Sequence, residues 1–285
     1  LLAELGERER VDGELVLAAG PRREAYWVRD IWTEPRLIRF STPDEGAEAL
    51  ASIAPRWTSV PGKRPDIESR IASLLPAPDA GPRRFPLEAP IEPHGSWTSW
   101  DDETLLASPS CEAFFPGGDP GFPEIRKGPP SRAYRKLWEA LSILGDRPRP
   151  GDRCLDAGAA PGGWTWVIAK LGASVIALDR APLDPSIQAM KGVEYRRGSA
   201  FSLSSRDTGK LDWLFSDVIC YPEKLYAWIS RWLEEDGARR YVCTIKMQGP
   251  DWDQATTRKL ARIPGARVLH LFNNKHELTW LFTKD

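Results

Sequence analysis

The run Leu155-Asp156-Ala157-Gly158-Ala159-Ala160-Pro161-Gly162-Gly163-Trp164-Thr165-Trp166 packs a carboxylate, a proline and three glycines into one short stretch. It reads as a strand end, a tight turn and the first turn of a helix. Glycine lets a ligand approach the backbone closely, and free N–H groups at a helix start point outward to meet it. Such a turn suits a nucleotide-like cofactor. Farther along, Asp179, Asp217 and Lys246 each close an apolar run, as Asp156 does. Ligands of open α/β sheets sit at the carboxyl ends of strands, so these four groups are expected on one rim.

The elements that would position them alternate regularly. Strands are expected at Arg153–Asp156, Ser174–Asp179, Leu211–Asp217, Arg240–Lys246, Arg267–Phe272 and Glu277–Phe282. Helices are expected at Trp164–Leu171, Pro222–Glu234 and Asp253–Arg262. Strands alternating with helices predict an α/β fold, a largely parallel sheet covered on both faces. The first half reads differently. Helix-like segments at Arg22–Ile31, Asp44–Ile53 and Asp66–Leu75 alternate with short strands at Leu15–Ala18, Leu37–Ser41 and Trp57–Val60. That fits a smaller α+β domain. A Pro- and Gly-rich tract from Pro76 to Pro130 follows, with a hairpin around Trp97–Leu106. The expected division is 1–125 and 126–285.

Composition narrows the class. The 285 residues suit two modest domains, and 28% charged residues at a net charge of −1 describe a soluble globular chain. No apolar run is long enough to cross a bilayer and no signal-peptide pattern is visible, so no membrane partner is expected. The four cysteines (Cys111, Cys154, Cys220, Cys243) form no CxxC pair, and there are only three histidines. A reduced cytoplasmic protein with no metal is the simplest account. The chain opens on Leu1, which leaves room for residues upstream. Basic residues gather at Arg126, Lys127, Arg132, Arg135 and Lys136, a candidate basic face beside the cofactor turn. Of the 13 tryptophans, Trp57, Trp97 and Trp100 are candidates for stacking on unpaired bases, with core packing the default.

Two cofactor classes compete for the turn. A GxGxxG dinucleotide fingerprint fails, because Pro161 lies inside the turn and no third glycine stands at the required spacing. Asp179, ending the second strand, can accept hydrogen bonds from ribose hydroxyls, a feature shared by NAD and S-adenosylmethionine enzymes. Taken alone, Asp179 could equally cap a helix. Asp156 favours S-adenosylmethionine, whose methionine end carries an ammonium beside a sulfonium.

Asp156-x-Gly158-Ala159-x-Pro161-Gly162-Gly163-Trp164-Thr165 resembles the cofactor motif of the FtsJ/RrmJ-type ribose 2′-O-methyltransferases. The likeness continues in Ser131-Arg132-Ala133-Tyr134-Arg135-Lys136-Leu137, in Ser216-Asp217, in Thr244-Ile245-Lys246-Met247-Gln248-Gly249 and in His276-Glu277-Leu278-Thr279. These motifs follow in the family's order over residues 122–285. The segment from Asp217 to Pro222 is similar to the RlmM branch, which modifies large-subunit ribosomal RNA and carries an N-terminal RNA-binding region of the THUMP type.

The resemblance implies a Rossmann-like domain with a mostly parallel seven-stranded sheet, S-adenosylmethionine as methyl donor, and RNA, ribosomal in kind, as partner. It implies a Lys-Asp-Lys-Glu tetrad of Lys136, Asp217, Lys246 and Glu277, with Lys246 as the base. An adjacent cation and partial burial are expected to lower the Lys246 pKa toward a usable neutral amine. Cofactor contacts fall to Asp156, Gly158, Ala159, Pro161, Gly162, Gly163, Trp164, Thr165, Asp179, Ser199 and Asp217. One position departs from the family. Gly198-Ser199 stands where a Gly-Asp pair reads the adenine amino group, so that contact falls to Ser199, the backbone or a neighbour. Competing readings are a tRNA or mRNA-cap methyltransferase, a non-catalytic RNA scaffold that binds the same cofactor, and, more distantly, an NAD-linked dehydrogenase.

Overall fold

The computed structural model describes residues 1–6, 10–76, 82–87, 91–249 and 252–284. The chain divides into two compact units, Leu1–Gly121 and Phe122–Asp285. The first contains α1 (Leu2–Leu5), β1 (Arg10–Asp12), β2 (Leu15–Leu17), β3 (Arg36–Arg39), α2 (Pro43–Ile53), β4 (Trp57–Ser59), α3 (Pro65–Leu74), β5 (Gly95–Ser99) and β6 (Thr104–Ser108). Strands β3-β6-β5-β4 form one sheet, and β1 and β2 a separate antiparallel pair. Thr42 starts α2 by accepting the Glu45 N–H, while Glu45 accepts the Ser41 N–H, a reciprocal cap. Leu50, Ile71, Trp57, Trp97 and Leu105 pack the core between helices and sheet. This is the expected α+β arrangement.

Trp57 and Trp97 are buried there, so neither can stack on a base. Trp100 instead carries the Arg10 guanidinium 3.7 Å above its ring. The helix expected at Arg22–Ile31 does not form. The Tyr26 and Trp27 N–H groups donate to the Glu4 carboxylate at 2.8 and 3.0 Å, and Asp30 accepts the Ala113 N–H. Donors spent on a distant carboxylate cannot make helical i→i−4 bonds. In the tract from Pro76 to Pro130, the hairpin is the β5–β6 pair; residues 77–81 and 88–90 lie outside the described residues.

The second unit runs α4 (Tyr134–Leu144), β7 (Arg153–Ala157), α5 (Gly163–Lys170), β8 (Ser174–Asp179), α6 (Pro185–Gln188), β9 (Val193–Arg197), α7 (Ser205–Thr208), β10 (Leu211–Ser216), α8 (Pro222–Glu234), β11 (Ala238–Lys246), α9 (Gln254–Ala261), β12 (Ala266–Leu269) and β13 (Glu277–Thr283). Its seven strands lie in the order β12-β13-β11-β10-β7-β8-β9. Strands β7 to β11 pair in parallel, and β13 runs antiparallel between β11 and β12. This is the Rossmann-like sheet the sequence implies. The central strands are apolar on both faces because helices cover both. The chain moves outward from β7 through β8 to β9, then returns to the other side of β7 as β10. The reversal leaves a crevice at the carboxyl ends of β7 and β10, where such folds bind ligands.

Candidate active site

The glycine turn fills one wall of that crevice. Gly158 and Gly162 hold φ of 86° and 116°, in the left-handed region that side chains disfavour. A Cβ on Gly158 would lie 2.9 Å from Val218 Cα, and one on Gly162 2.8 Å from Ile187 Cγ2. A Cβ on Gly163 would lie 2.5 Å from Ser131 Oγ, so the starts of α4 and α5 touch through this missing side chain. Trp164 Nε1 donates to the Ala133 carbonyl at 3.0 Å and ties the same two helix starts together. Gly158 and Ala159 donate to the Leu178 carbonyl, and the Pro161 carbonyl accepts the Asp184 N–H.

Asp156 stands beneath the turn. Thr165 Oγ1 donates to its Oδ2 at 2.6 Å, while Oδ1 is buried without a hydrogen-bond partner. Burial pushes the Asp156 carboxyl up to about 7, and the nearby charges of Asp217 and Asp179 push the same way. A buried carboxylate oxygen with nothing to accept is a vacant place for a cationic donor. Asp179 closes the turn from β8, accepting the Ala160 N–H at 3.0 Å and the Ala181 N–H at 2.9 Å. Both its oxygens therefore serve the backbone, each with acceptor capacity left over. Ser199 is half-buried at the end of β9; its Oγ accepts the Phe201 N–H at 3.4 Å, and its carbonyl accepts from Ser202.

Across the crevice, Lys136, Asp217, Lys246 and Glu277 meet in a closed ring. Lys136 Nζ lies 3.1 Å from Asp217 Oδ1, which lies 2.8 Å from Lys246 Nζ. Lys246 Nζ is 2.7 Å from Glu277 Oε2, and Glu277 Oε1 returns to Lys136. Four separate elements deliver these groups. Lys136 comes from the first turn of α4, Asp217 directly follows β10, and Lys246 and Glu277 are cross-strand partners on β11 and β13. Alternating charge leaves the ring neutral, which lets it sit largely out of water.

The ring sets the protonation states. Burial alone would push Asp217 up, but the charges of Lys136 and Lys246, with hydrogen bonds from Lys246 and Thr244, hold it below the ordinary carboxylate value. Burial pulls Lys246 down; the attraction of Asp217 and Glu277 outweighs it, and its pKa stands above that of a free lysine. The expected lowering is thus reversed. Two carboxylates contact Lys246 directly, whereas the cation of Lys136 acts on it only from behind them. Lys136 also lies 6.0 Å from the Trp164 ring, which links the ring of charges to the turn.

Two residues outside the expected site set complete the assembly. Thr244 lies two residues before Lys246, on the same face of β11, and its Oγ1 donates to Asp217 Oδ1 at 2.8 Å. Its position in the motif was the available signal. Glu139, one turn after Lys136 on α4, is buried and accepts the Phe272 N–H at 2.6 Å, the Asn273 N–H at 3.2 Å and Asn273 Nδ2 at 2.8 Å. It pins the segment leading into Glu277. Of the basic cluster, Arg126, Lys127 and Arg132 are exposed, Arg135 donates to the Phe122 carbonyl, and Lys136 is in the ring. Among the described residues no group of three or more His, Cys, Asp or Glu side chains is arranged to hold a metal ion, and no helix is long and apolar enough to cross a membrane.

Comparison with known proteins agrees with this geometry. The FtsJ-like methyltransferase family matches residues 129–231, which hold the cofactor turn, Lys136 and Asp217. A ribosomal RNA large subunit methyltransferase M from Halorhodospira halophila is 36% identical over 172 residues, 57% of this chain and 50% of that protein. One from Aromatoleum aromaticum is 31% identical over 197 residues, 64% of this chain and 52% of its own length. The chain spans about half the length of these curated relatives. Turn, ring and sheet thus stand in the order of the FtsJ-like methyltransferase family, whose model matches residues 129–231 of this chain.

Proposed function

We propose that this protein transfers a methyl group from S-adenosylmethionine to a ribose 2′-hydroxyl of large-subunit ribosomal RNA. The observation that carries this reading is the closed Lys136–Asp217–Lys246–Glu277 ring facing a glycine turn across the sheet's reversal point. The residues present fit the donor. Asp156 Oδ1, buried and unpartnered, suits its ammonium; Asp179 suits its ribose hydroxyls; Gly158, Gly162 and Gly163 keep the wall free of side chains. We assign the adenine contact to Ser199 and the backbone around it. When bound, the donor supplies an electrophilic methyl group on a sulfonium.

The protein's own work is to align and deprotonate a hydroxyl. Alignment accounts for much of the barrier reduction, and a base adds about 10²–10⁴-fold. Lys246 is that base, although in the closed ring it is held as an ammonium. A ribose hydroxyl that displaces one carboxylate from Lys246 removes part of the attraction raising its pKa and lets it give up its proton to water. The neutral amine would then take the hydroxyl proton as the oxygen bonds to the methyl carbon, the methyl–sulfur bond breaking with its electron pair left on a neutral thioether. Lys136 keeps a cation beside Asp217 and Glu277 throughout, so the opened ring is never a bare pair of carboxylates.

The substrate class is supported by the curated relatives, named as large-subunit ribosomal RNA methyltransferases. We assign RNA engagement to the N-terminal part, residues 1–125, catalysis to residues 126–285, and the cytoplasm as the place of action. Mapping 2′-O-methylation across total RNA with and without the gene tests the reading. One large-subunit position is expected to lose its methyl group; an unchanged ribosomal map would contradict it.

A further inference from the structure

Among the described residues of the C-terminal unit, Ile219 and Tyr221 are the large hydrophobic side chains left exposed, at 75% and 66%. Both stand in the short loop between Asp217 and α8. Elsewhere in this unit aromatic side chains such as Trp213, Phe215, Trp280 and Phe282 are buried and stacked on one another, so two exposed apolar side chains in the loop that follows Asp217 stand out as a surface that could take an occupant. The loop is pinned at both ends. Val218 lies against Gly158 so closely that an added Cβ would meet its Cα at 2.9 Å, and Pro222 is buried at the start of α8. Tyr221 provides no side-chain cap to α8, and only its carbonyl is used, by Lys224 and Leu225.

We propose that Ile219 and Tyr221 form a stacking platform for an unpaired nucleobase of the same RNA strand whose ribose enters the ring, an inference that rests on the function proposed above. Four residues of chain hold Tyr221 Cα within about 14 Å of Asp217, short enough for one RNA segment to touch both. An exposed aromatic ring offers a base a flat apolar face, an exposed aliphatic side chain two residues away adds apolar surface, and every base has a π-face to lay on it. Charge agrees with this occupant. Lys224, exposed one turn into α8 and held 4.4 Å from the Phe201 ring, places a cation beside the platform for the backbone phosphate. The platform follows Val218, which packs on Gly158, and adds no group to the ring itself.

The test measures RNA binding apart from methyl transfer, on the full chain with S-adenosylhomocysteine, using unmethylated large-subunit ribosomal RNA made by transcription. Tyr221→Ala is expected to weaken binding by about 5–100-fold, without changing the slope of affinity against salt. Tyr221→Phe, which keeps the ring, restores binding to within about threefold by the same stacking argument. Lys224→Ala lowers the salt slope by about one. S-adenosylhomocysteine affinity, read by calorimetry, stays that of the parent in Tyr221→Ala and reports that the fold and turn survive. Tyr221→Ala binding RNA as the parent does would overturn the platform, as would loss of self-association in that variant with RNA binding intact. RNA bound through Tyr221 with no methyl transferred would instead overturn the functional reading and leave the platform standing.

Discussion

Lys246 and Glu277 face each other across the antiparallel β11–β13 pair, and their side chains close to 2.7 Å at the strand ends. Directly opposed residues have neighbouring Cβ atoms, so strand register alone brings base and carboxylate together. Asp217 then binds the same ammonium from the other side. Lys246 is therefore charged in the free protein, with a pKa above the free value. For a base protonated throughout the working range, kcat/KM should climb about tenfold per pH unit from pH 6 to 9 with no plateau. A pH–rate profile that levels off near neutrality would contradict this. The same shifts bear on stability. The Lys246 contribution is present at neutral pH and lost only as pH rises through its folded pKa. The Asp217 contribution, from a lowered pKa, is lost as pH falls below the ordinary carboxylate range.

Asp156 should behave in the opposite way. Its folded pKa, about 7, lies above the unfolded value, so the folded chain holds the proton more tightly and stability falls as pH rises toward 7. Asp156→Asn removes that penalty and keeps the shape. Thermal melts of the ligand-free protein should show Tm raised by about 3–8 °C at pH 8, with no gain at pH 4. The same variant should bind S-adenosylmethionine about 10–100-fold more weakly. Calorimetry at pH 6 in buffers of differing ionisation enthalpy should find a proton released on binding by the parent and none by Asp156→Asn.

Gly158→Ala tests the close approach at the crevice. The new Cβ meets Val218 Cα at 2.9 Å and φ stays at 86°. A cost of about 1–3 kcal/mol is expected, together with weaker cofactor binding, because either the turn or the loop after Asp217 must move. Urea titration and calorimetry check both. Wild-type values in the two assays would mean the turn is slacker than described.

Glu139 acts through what it holds. Its carboxylate accepts three N–H donors from Phe272 and Asn273, and Asn274 in turn bonds Thr279. Glu139→Gln keeps the volume but loses the charge-assisted bonds, each worth about 1.5–3 kcal/mol to stability. The Glu277 carboxylate should then be less well fixed. kcat is expected to fall about tenfold if one such bond's worth of alignment is lost, with cofactor affinity unchanged. Equal kcat in variant and parent would reduce Glu139 to a packing residue.

Much of this was legible in the residues. Asp156, Asp179 and Lys246 each end an apolar run, and a parallel sheet puts such ends on one rim. The register joining Lys246 to Glu277 was not readable, because pairing across strands depends on the whole sheet. Nor was the charge state of Lys246, which depends on two carboxylates far away in sequence touching it directly. The strand Val193–Arg197 shows alternation in Val193 and Tyr195, but as a charged edge strand it carries a weak apolar signal. The helix expected at Arg22–Ile31 failed because the distant carboxylate of Glu4 takes its N–H donors, information no local window contains.

Methyl transfer to a ribose hydroxyl by the Lys246 ring can be read out on the purified chain. The most direct measurement incubates the purified chain with methyl-labelled S-adenosylmethionine and unmethylated large-subunit ribosomal RNA, then locates the label by nucleoside analysis. Label is expected in one 2′-O-methylated nucleoside, and none with Lys246→Ala, which still binds S-adenosylmethionine with parental affinity. Label on a base rather than a ribose, or parental transfer by Lys246→Ala, would contradict it.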